Sequence, residues 1–242
     1  MSTFLVLQPT QLWMLLRADA ISVVREPVLL VNLFIGLTLP ILLTTFRSEI
    51  DAYSASTIGI DSFSAYAVSF ALIIPAILVG WVTGMLLLED RDDGPLLALE
   101  VTPVGKGGFI LYRSFTLTLI AFAATLFSAH LLLPEKPGLH LPLAFLISLE
   151  SVLISFTLVA IASNKVEGMA LSKILNMLAL APLLALFDAP WRYFLGVVPG
   201  FWIGEMLYQA NSKISLYVFL IALVVHLGVL LMLYRVLTRR LG

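Results

Sequence analysis

Residues 86–108 read LLLEDRDDGPLLALEVTPVGKGG and contain the densest run of charge in a chain that is 60% hydrophobic. The charged residues, 89–93, follow one long apolar stretch, and another begins at Gly108. A hydrocarbon core about 30 Å thick requires about 20 apolar residues in a helix, because backbone polar groups must be satisfied within the segment. The stretch therefore predicts a polar loop between two membrane-spanning helices.

The composition of the whole chain supports an integral membrane protein in contact with the lipid bilayer. Only 12% of the 242 residues are charged, against about 25% in soluble domains, and the mean hydropathy is +1.04. The net charge of −1 argues against a nucleic-acid partner. The chain has no cysteine, which excludes disulfides, thiolate metal sites and a cysteine nucleophile.

The apolar stretches predict a single all-α membrane domain over residues 1–242, with six transmembrane helices. These helices are expected at residues 28–46, 63–88, 108–133, 141–162, 169–187 and 214–234. A further apolar run within residues 190–210 is interrupted by glycine and proline and is too short to span. We expect a re-entrant hairpin there, packed against protein or facing water.

Residues 10–25 predict an amphipathic helix ahead of the first span. Their apolar residues recur at helical spacing: Trp13, Leu16, Ala20, Val23 and Val24. A helix of this kind lies along the membrane surface as an elbow. The alternative is that these residues extend the first span.

The basic residues predict the orientation of the chain. Only four of its 14 lysines and arginines fall in the loops opposite the termini: Arg47, Lys136, Arg192 and Lys213. Because cytoplasmic loops are enriched in positive charge, both termini are expected in the cytoplasm. The protein would be a multi-pass protein of the inner or plasma membrane.

The loop after the second span does not predict a nucleotide site. VGKGG resembles part of a P-loop, but Glu100 stands where that motif requires its first glycine. The aspartates of DRDDG, Asp90, Asp92 and Asp93, are typical of metal-dependent membrane transferases, which leaves such an enzyme as an alternative. Residues 107–118 supply no carboxylate to complete an oxygen shell, so no metal site is predicted.

The segment between Gly94-Pro95 and Thr102-Pro103 predicts a short helix, from about Asp92 to Thr102. Its leucines expose more apolar surface than so short an element can bury alone. The segment therefore predicts contact with a partner surface, although the leucines could instead dip into the lipid headgroups.

The order of these features resembles ABC-2 type transporter permeases, in which the first cytoplasmic loop forms a coupling helix on the ATPase subunit. The matching positions in the loop, taken as residues 89–103, are Glu89, Arg91, Gly94, Leu99, Thr102 and Pro103. Pro95 departs from the threonine usual in the family. Residues 15–31, including the Arg-Glu-Pro step at 25–27, resemble the family's elbow helix. Residues 164–177 resemble the second cytoplasmic loop of the small six-helix fluoroquinolone or multidrug exporters, and VVPGFW resembles their re-entrant segment.

The resemblance implies the permease subunit of an exporter that moves a hydrophobic or amphipathic substrate out of the cytoplasm or inner leaflet. Its partners would be a cytoplasmic ABC ATPase and a second permease, identical or related. The chain would be no enzyme and would hold no cofactor, because the ATPase binds ATP and magnesium. The residues expected to contact the ATPase are Glu89, Asp90, Arg91, Asp92, Asp93, Gly94, Pro95, Leu96, Leu97, Leu99 and Glu100.

Polar residues deep inside the predicted spans are candidates for a translocation path: Asn32, Glu150, Asn176 and His226. Because an ionisable group is costly in hydrocarbon, such residues often serve function. They could line a translocation path in which Glu150 attracts a cationic substrate. Two alternatives are a structural pair of Glu150 with His226, and a proton-coupled secondary transporter that uses both.

Gly80 and Gly84 form a GxxxG step in the second span. Glycines at this spacing allow close approach of a second helix. The step predicts a packing face rather than a specific dimer contact.

Overall fold

The computed structural model describes residues 9–25, 27–92, 105–187, 189–208 and 212–241, and the regular elements in these ranges are all helical. The α-helices are α1 (Pro9–Arg25), α2 (Pro27–Thr45), α3 (Arg47–Ile58), α4 (Phe63–Asp92), α5 (Gly105–Leu132), α6 (Pro137–Ile161), α7 (Lys165–Leu175), α8 (Pro199–Tyr208) and α9 (Ser212–Leu241). Two 3₁₀ helices, Asn176–Leu186 and Pro190–Val197, lie between α7 and α8. The predicted all-α class is confirmed.

Five segments of the described chain are long and apolar enough to cross a bilayer: α4, α5, α6, α9 and Lys165–Leu186. A sixth is obtained if α1 and α2 are taken together, and residues 13–25 and 30–45 meet at an angle of 94°. The six predicted spans agree with the upper count. The bend directs α1 across the axis of α2, as expected for the elbow. The position of α1 at the membrane surface stays a prediction.

Helices α4 and α6 form the centre of the bundle. The most apolar windows of these two helices are 94% and 83% buried, against 17% for α9. The GxxxG step explains their close packing, since a Cβ at Gly80 would collide with the carbonyl oxygen of Ser151 and one at Gly84 would lie 2.8 Å from Leu158 Cδ1. The predicted packing face is confirmed, and its partner is α6 of the same chain.

The fifth span differs from the regular helix that hydropathy predicts. It changes from α-helix to 3₁₀ helix at Asn176, and 3₁₀ helix rises about 2.0 Å per residue instead of 1.5 Å. Helix α8 packs closely against this extended half, because a Cβ at Gly204 would collide with the carbonyl oxygen of Pro182. The predicted re-entrant region is therefore a 3₁₀ helix followed by a helix, and α8 is buried against the fifth span.

Helix α3, which hydropathy does not predict, is attached to the start of α4 by hydrogen bonds. Asp51 Oδ1 accepts from the backbone N–H of Ser64 at 2.8 Å, and Oδ2 accepts from the Ser64 hydroxyl at 2.7 Å. The Arg47 Nε donates to the same hydroxyl oxygen at 3.3 Å. The Ser64 backbone N–H, the Ser64 hydroxyl and the Arg47 charge hold the pKa of Asp51 below its ordinary value.

Candidate functional site: a charged cluster and a buried Glu–His couple

The acidic residues that end α4 contact α5 and the start of α7, and the α5 residue Arg113 also contacts α1. We call this group the charged cluster; its members are Asp19, Glu89, Asp90, Arg91, Asp92, Arg113 and Lys165. The cluster joins α1, α4, α5 and the start of α7. Its α4 members lie immediately before residues 93–104, the segment in which the coupling helix is predicted.

Arg113 is the buried centre of the charged cluster. Its Nη2 lies 2.7 Å from Asp19 Oδ1 and 2.8 Å from Asp90 Oδ2, and its side chain is only 5% exposed. The guanidinium stacks over the Phe109 ring, 4.9 Å from its centroid, and the Tyr112 hydroxyl donates to Asp19 Oδ2 at 3.1 Å. Because a buried charge is costly unless paired, these contacts fix α1 and α5 against the end of α4.

Lys165 forms the more exposed half of the charged cluster. Its Nζ lies 3.0 Å from Glu89 Oε2, and its backbone N–H donates to Asp92 Oδ2 at 2.9 Å. Asn164 caps α7, accepting from the Glu167 N–H. The Asp92 carboxylate also places negative charge at the positive end of the α7 dipole. The start of α7 is thus held to the end of α4.

The structure places the predicted ATPase-contacting residues in two groups. Glu89, Asp90, Arg91 and Asp92 lie in the last turns of α4 and have partners within the chain, including the Val159 carbonyl oxygen 3.4 Å from Arg91 Nη1. The others lie outside the described residues: Asp93, Gly94, Pro95, Leu96, Leu97, Leu99 and Glu100. Sequence reasoning missed Asp19, Arg113 and Lys165 as partners, and the available signal was the opposite charge of Arg113 and Lys165 near the ends of neighbouring predicted helices.

Glu150 and His226 meet in the interior, between α6 and α9. Glu150 Oε1 lies 3.4 Å from His226 Nε2, and the side chains are 6% and 0% exposed. His226 Nδ1 lies 2.7 Å from the carbonyl oxygen of Ala222. We call these two residues the Glu150–His226 couple. Their contact is the one that the pairing alternative predicts.

The structure does not bring the other two predicted path residues to this couple. Asn176 is exposed at the junction between α7 and the 3₁₀ helix, and Asn32 is half-buried on α2. Helix α2 packs against α4 and α5, whereas α6 packs against α9. A role for all four in one path stays a prediction.

A second buried acid, Glu205 on α8, was missed by sequence reasoning. It is 2% exposed, and its Oε1 lies 3.2 Å from Arg192 Nη2 of the preceding 3₁₀ helix. The Trp202 Nε1–H donates to the Gly196 carbonyl oxygen at 2.7 Å, which joins the same two elements. The available signal was a glutamate within an otherwise apolar run.

Comparisons with known proteins agree with the predicted resemblance. Residues 19–234 match the Rv2686c-like family, described as fluoroquinolones export permease proteins. Over 207 residues the chain is 30% identical to the fluoroquinolones export permease protein MT2760 of Mycobacterium tuberculosis (strain CDC 1551 / Oshkosh), with 81% of each chain covered. The permease Rv2686c of strain H37Rv gives the same identity and coverage. No solved structure matches the chain.

The family match covers most of the chain, and the relatives are export permeases. Both findings agree with a bundle that has five to six candidate membrane spans. The chain is a multi-pass membrane protein, and it belongs to the Rv2686c-like family of fluoroquinolones export permease proteins.

Proposed function

We propose that the chain is the permease subunit of an ATP-binding-cassette exporter. It moves a hydrophobic or amphipathic substrate out of the cytoplasm or inner leaflet, and a separate ATPase subunit supplies the energy. A second permease, identical or related, completes the path. Both termini and residues 89–103 lie in the cytoplasm, where the ATPase binds.

The charged cluster is the observation that carries this proposal. Residues 93–104 connect Asp92, which contacts the start of α7, to α5, which carries Arg113. A force applied to that segment acts at once on α1, α4, α5 and α7, because ion pairs bind these elements together. This is the connection that a permease needs if a partner drives it. The sequence supplies no P-loop, so the nucleotide site belongs to another chain.

The substrate proposal follows from the relatives and from the buried polar groups. The relatives are named as fluoroquinolones export permeases, and we take fluoroquinolones as the first substrates to test. The Glu150–His226 couple is the polar point on the proposed path. Asn32 and Asn176 are proposed to lie along the same path.

Co-purification tests the proposal. The tagged chain is isolated from its native membrane, and ATP hydrolysis by the captured material is measured. Leu97→Asp and Leu99→Asp should each abolish the captured activity, because a charge is introduced into the apolar contact. Ile58→Asp is the matched control, since it makes the same change at an exposed residue just before the start of α4, the end opposite Asp92. Full activity in both leucine variants would overturn the proposal.

A second candidate, a proton-driven carrier, is favoured by the contact between Glu150 and His226. The two functions differ in their energy source. Uptake of a fluoroquinolone into inverted vesicles that persists after ATP removal and stops with a protonophore would favour the carrier. Export that requires ATP and survives the protonophore would favour the ATP-driven permease.

The metal-dependent transferase makes a different prediction about the aspartates. It requires turnover that depends on a divalent metal and is lost in Asp90→Asn and Asp93→Asn. In the structure Asp90 lies beside Arg113 and Asp92 accepts from Lys165. Carboxylates that already neutralise basic groups are poor metal ligands, so this observation favours the permease.

A further inference from the structure

The second 3₁₀ helix, Pro190–Val197, exposes a row of apolar side chains. Because a 3₁₀ helix has three residues per turn, side chains three positions apart lie above one another. One such row, which we call the outward row, consists of Trp191, Phe194 and Val197, and these residues are 54%, 85% and 75% exposed. The outward row is therefore both the most exposed part of this helix and an apolar one.

The single charge of this segment lies on the opposite side. Residues 189–198 contain one charged residue, Arg192, whose side chain is 18% exposed and whose Nη2 lies 3.2 Å from Glu205 Oε1. Its Nη1 donates to the carbonyl oxygen of Phe187 at 3.1 Å, directly after the fifth span. A surface helix that faces water has the reverse arrangement, with its charged residues outside and its apolar residues inside. The outward row therefore fits surroundings other than water.

The path of the chain brings this helix back along the fifth span. It begins beside the end of that span, where the ring centroids of Phe187 and Trp191 are 5.9 Å apart. It leads into α8, in which a Cβ at Gly200 would lie 2.9 Å from Ala181 Cβ and 3.4 Å from Glu150 Oε1. The chain thus returns from the level of Phe187 to that of Ala181, which is about 12 Å at the rise of a 3₁₀ helix. The outward row therefore runs from the membrane boundary toward the bilayer interior.

Contact with hydrocarbon at this depth requires backbone polar groups that are satisfied within the protein. The N–H groups of Arg192 and Val198 donate to carbonyl oxygens three residues earlier in the chain, at 3.0 and 2.9 Å. The Gly196 carbonyl oxygen accepts from Trp202 Nε1 of α8 at 2.7 Å. The outward row can therefore contact hydrocarbon without exposing these backbone groups to it.

We propose that the outward row binds the lipid leaflet in which the fifth span ends, and that it anchors α8 to that leaflet. Trp191 lies at the shallow end of the row, as is typical of tryptophan at membrane boundaries, and the aliphatic Val197 lies at the deep end. Because the row has no basic residue, the contact requires no anionic lipid. The Arg192–Glu205 ion pair and the Trp202 hydrogen bond transmit the anchorage to α8. The inference goes beyond the proposed function, since it holds for any substrate and any energy source.

A lipid partner is favoured over a second copy of the chain or another protein. A stable protein interface uses about 20 to 30 residues on each side, whereas this helix has only eight residues. Exposed aromatic residues also lie near the ends of neighbouring spans: Phe46 after α2, Tyr66 in the first turn of α4 and Tyr217 in the second turn of α9. Aromatic side chains near several span ends are typical of a lipid boundary, which surrounds the bundle.

Collision measurements on spin labels test the proposal. The chain has no cysteine, so an introduced cysteine carries the only label in the full-length protein, reconstituted in phosphatidylcholine nanodiscs. The outward row is labelled through Trp191→Cys, Phe194→Cys or Val197→Cys, and the partly buried neighbour Leu195→Cys is the matched control. Collisions with O₂ report lipid, and collisions with a water-soluble nickel chelate report water. Val224→Cys, exposed within the apolar window of α9, supplies the lipid reference.

We expect the collision rate with O₂ at the outward row to approach that of the lipid reference. The ratio of O₂ to nickel collisions should rise from Trp191→Cys through Phe194→Cys to Val197→Cys, because the row runs into the bilayer. Leu195→Cys should show fewer collisions with both reagents, since its side chain is turned away from the outward row. The same pattern should persist when anionic phosphatidylglycerol is added to the nanodiscs.

Three results would overturn the proposal. Nickel collisions that exceed O₂ collisions at Phe194→Cys and Val197→Cys would place the row in water. Low rates with both reagents at these positions would show that protein covers the row. Lipid contact that appears only with phosphatidylglycerol would show a different kind of lipid recognition. The measurements use neither an ATPase nor a substrate, so their failure is distinct from failure of the co-purification test.

Discussion

The charged cluster and the Glu150–His226 couple both hold carboxylates away from water, but they do so in different ways. In the cluster, Arg113 lies within 3 Å of two carboxylates that come from different helices. In the couple, one carboxyl oxygen faces one ring nitrogen at 3.4 Å, and neither atom has a hydrogen bond in the described structure. Although Arg113 Nε and Nη1 also lack a hydrogen-bond partner there, the cluster has several short ionic contacts, whereas the couple has one long contact.

This difference indicates two roles. Groups with several short ionic contacts are costly to separate, because each leaves a charge without its partner. Such groups suit a joint that must move as one unit. A couple with a single long contact has a smaller cost of rearrangement, so it suits the binding and release of a ligand. We therefore propose that the two regions divide transmission of force from recognition.

The largest expected effect comes from the centre of the joint. Arg113→Gln leaves Asp19 and Asp90 close together without their cation, and loss of one partner of a buried pair costs about 3 to 5 kcal/mol. Both carboxylates are about one fifth exposed, so we expect the lower value, about 3 kcal/mol. The measurement is the midpoint of thermal unfolding, Tm, in detergent.

Arg113→Lys is the matched variant for this test, since it keeps the charge but loses the planar guanidinium that stacks over Phe109. It should lie between wild type and Arg113→Gln. Adding Asp19→Asn to Arg113→Gln should restore part of the lost stability, because one unpaired charge is removed. An unchanged Tm in Arg113→Gln would show that the cluster is not a joint.

The second effect concerns α8, the helix that covers the couple. Gly204→Ala places a Cβ against the Pro182 carbonyl oxygen, and the backbone cannot yield as a side chain can. Overpacking of this kind costs about 1 to 3 kcal/mol. Gly228→Ala on α9 is the control, because a Cβ there meets nothing within 4 Å in the described structure. Equal Tm values for the two variants would contradict the close packing of α8.

Hydropathy was sufficient to predict the spans, because each requires only a long apolar run. It was insufficient for the end of α4, which continues to Asp92 instead of ending at residue 88. The acidic residues stay helical because Arg113 and Lys165 neutralise them, and partners so distant in sequence are not visible in a local pattern. Helix α3 was missed for a related reason, since it has no apolar periodicity and depends on the contact of Asp51 with Ser64.

The candidate site was predicted in part. Rarity of charge was enough to select Glu150 and His226, and pairing of the two was one of the alternatives. Sequence could not choose among the alternatives, because the rotation of α6 relative to α9 decides whether the groups meet. Glu205 was overlooked because the glycines and proline around it indicated a broken segment, although the segment contains the buried helix α8.

A smaller effect is expected at the exposed half of the charged cluster. Lys165 and Glu89 are each about one third exposed, and solvent-exposed ion pairs contribute about 0 to 1 kcal/mol. Lys165→Met should therefore lower Tm much less than Arg113→Gln, since the backbone hydrogen bond to Asp92 remains. Raising the salt concentration should reduce the Lys165→Met effect further. A decrease in Tm equal to that of Arg113→Gln would show that burial does not distinguish the Arg113 half of the charged cluster from the Lys165 half.

The smallest effect concerns Asp51, a carboxylate held mainly by hydrogen bonds rather than buried beside a cation. Because the folded protein lowers its pKa, Asp51 stabilises the fold fully above the ordinary pKa of an aspartate, about 3.9. That contribution is lost as the pH falls through the lower pKa of the folded state. The Tm difference between wild type and Asp51→Asn should thus be constant near neutral pH and shrink below about pH 4. A difference that stays constant down to pH 3 would mean that Ser64 and Arg47 do not favour the charged form, and the contrast between hydrogen-bonded and ion-paired carboxylates would then be lost at this position.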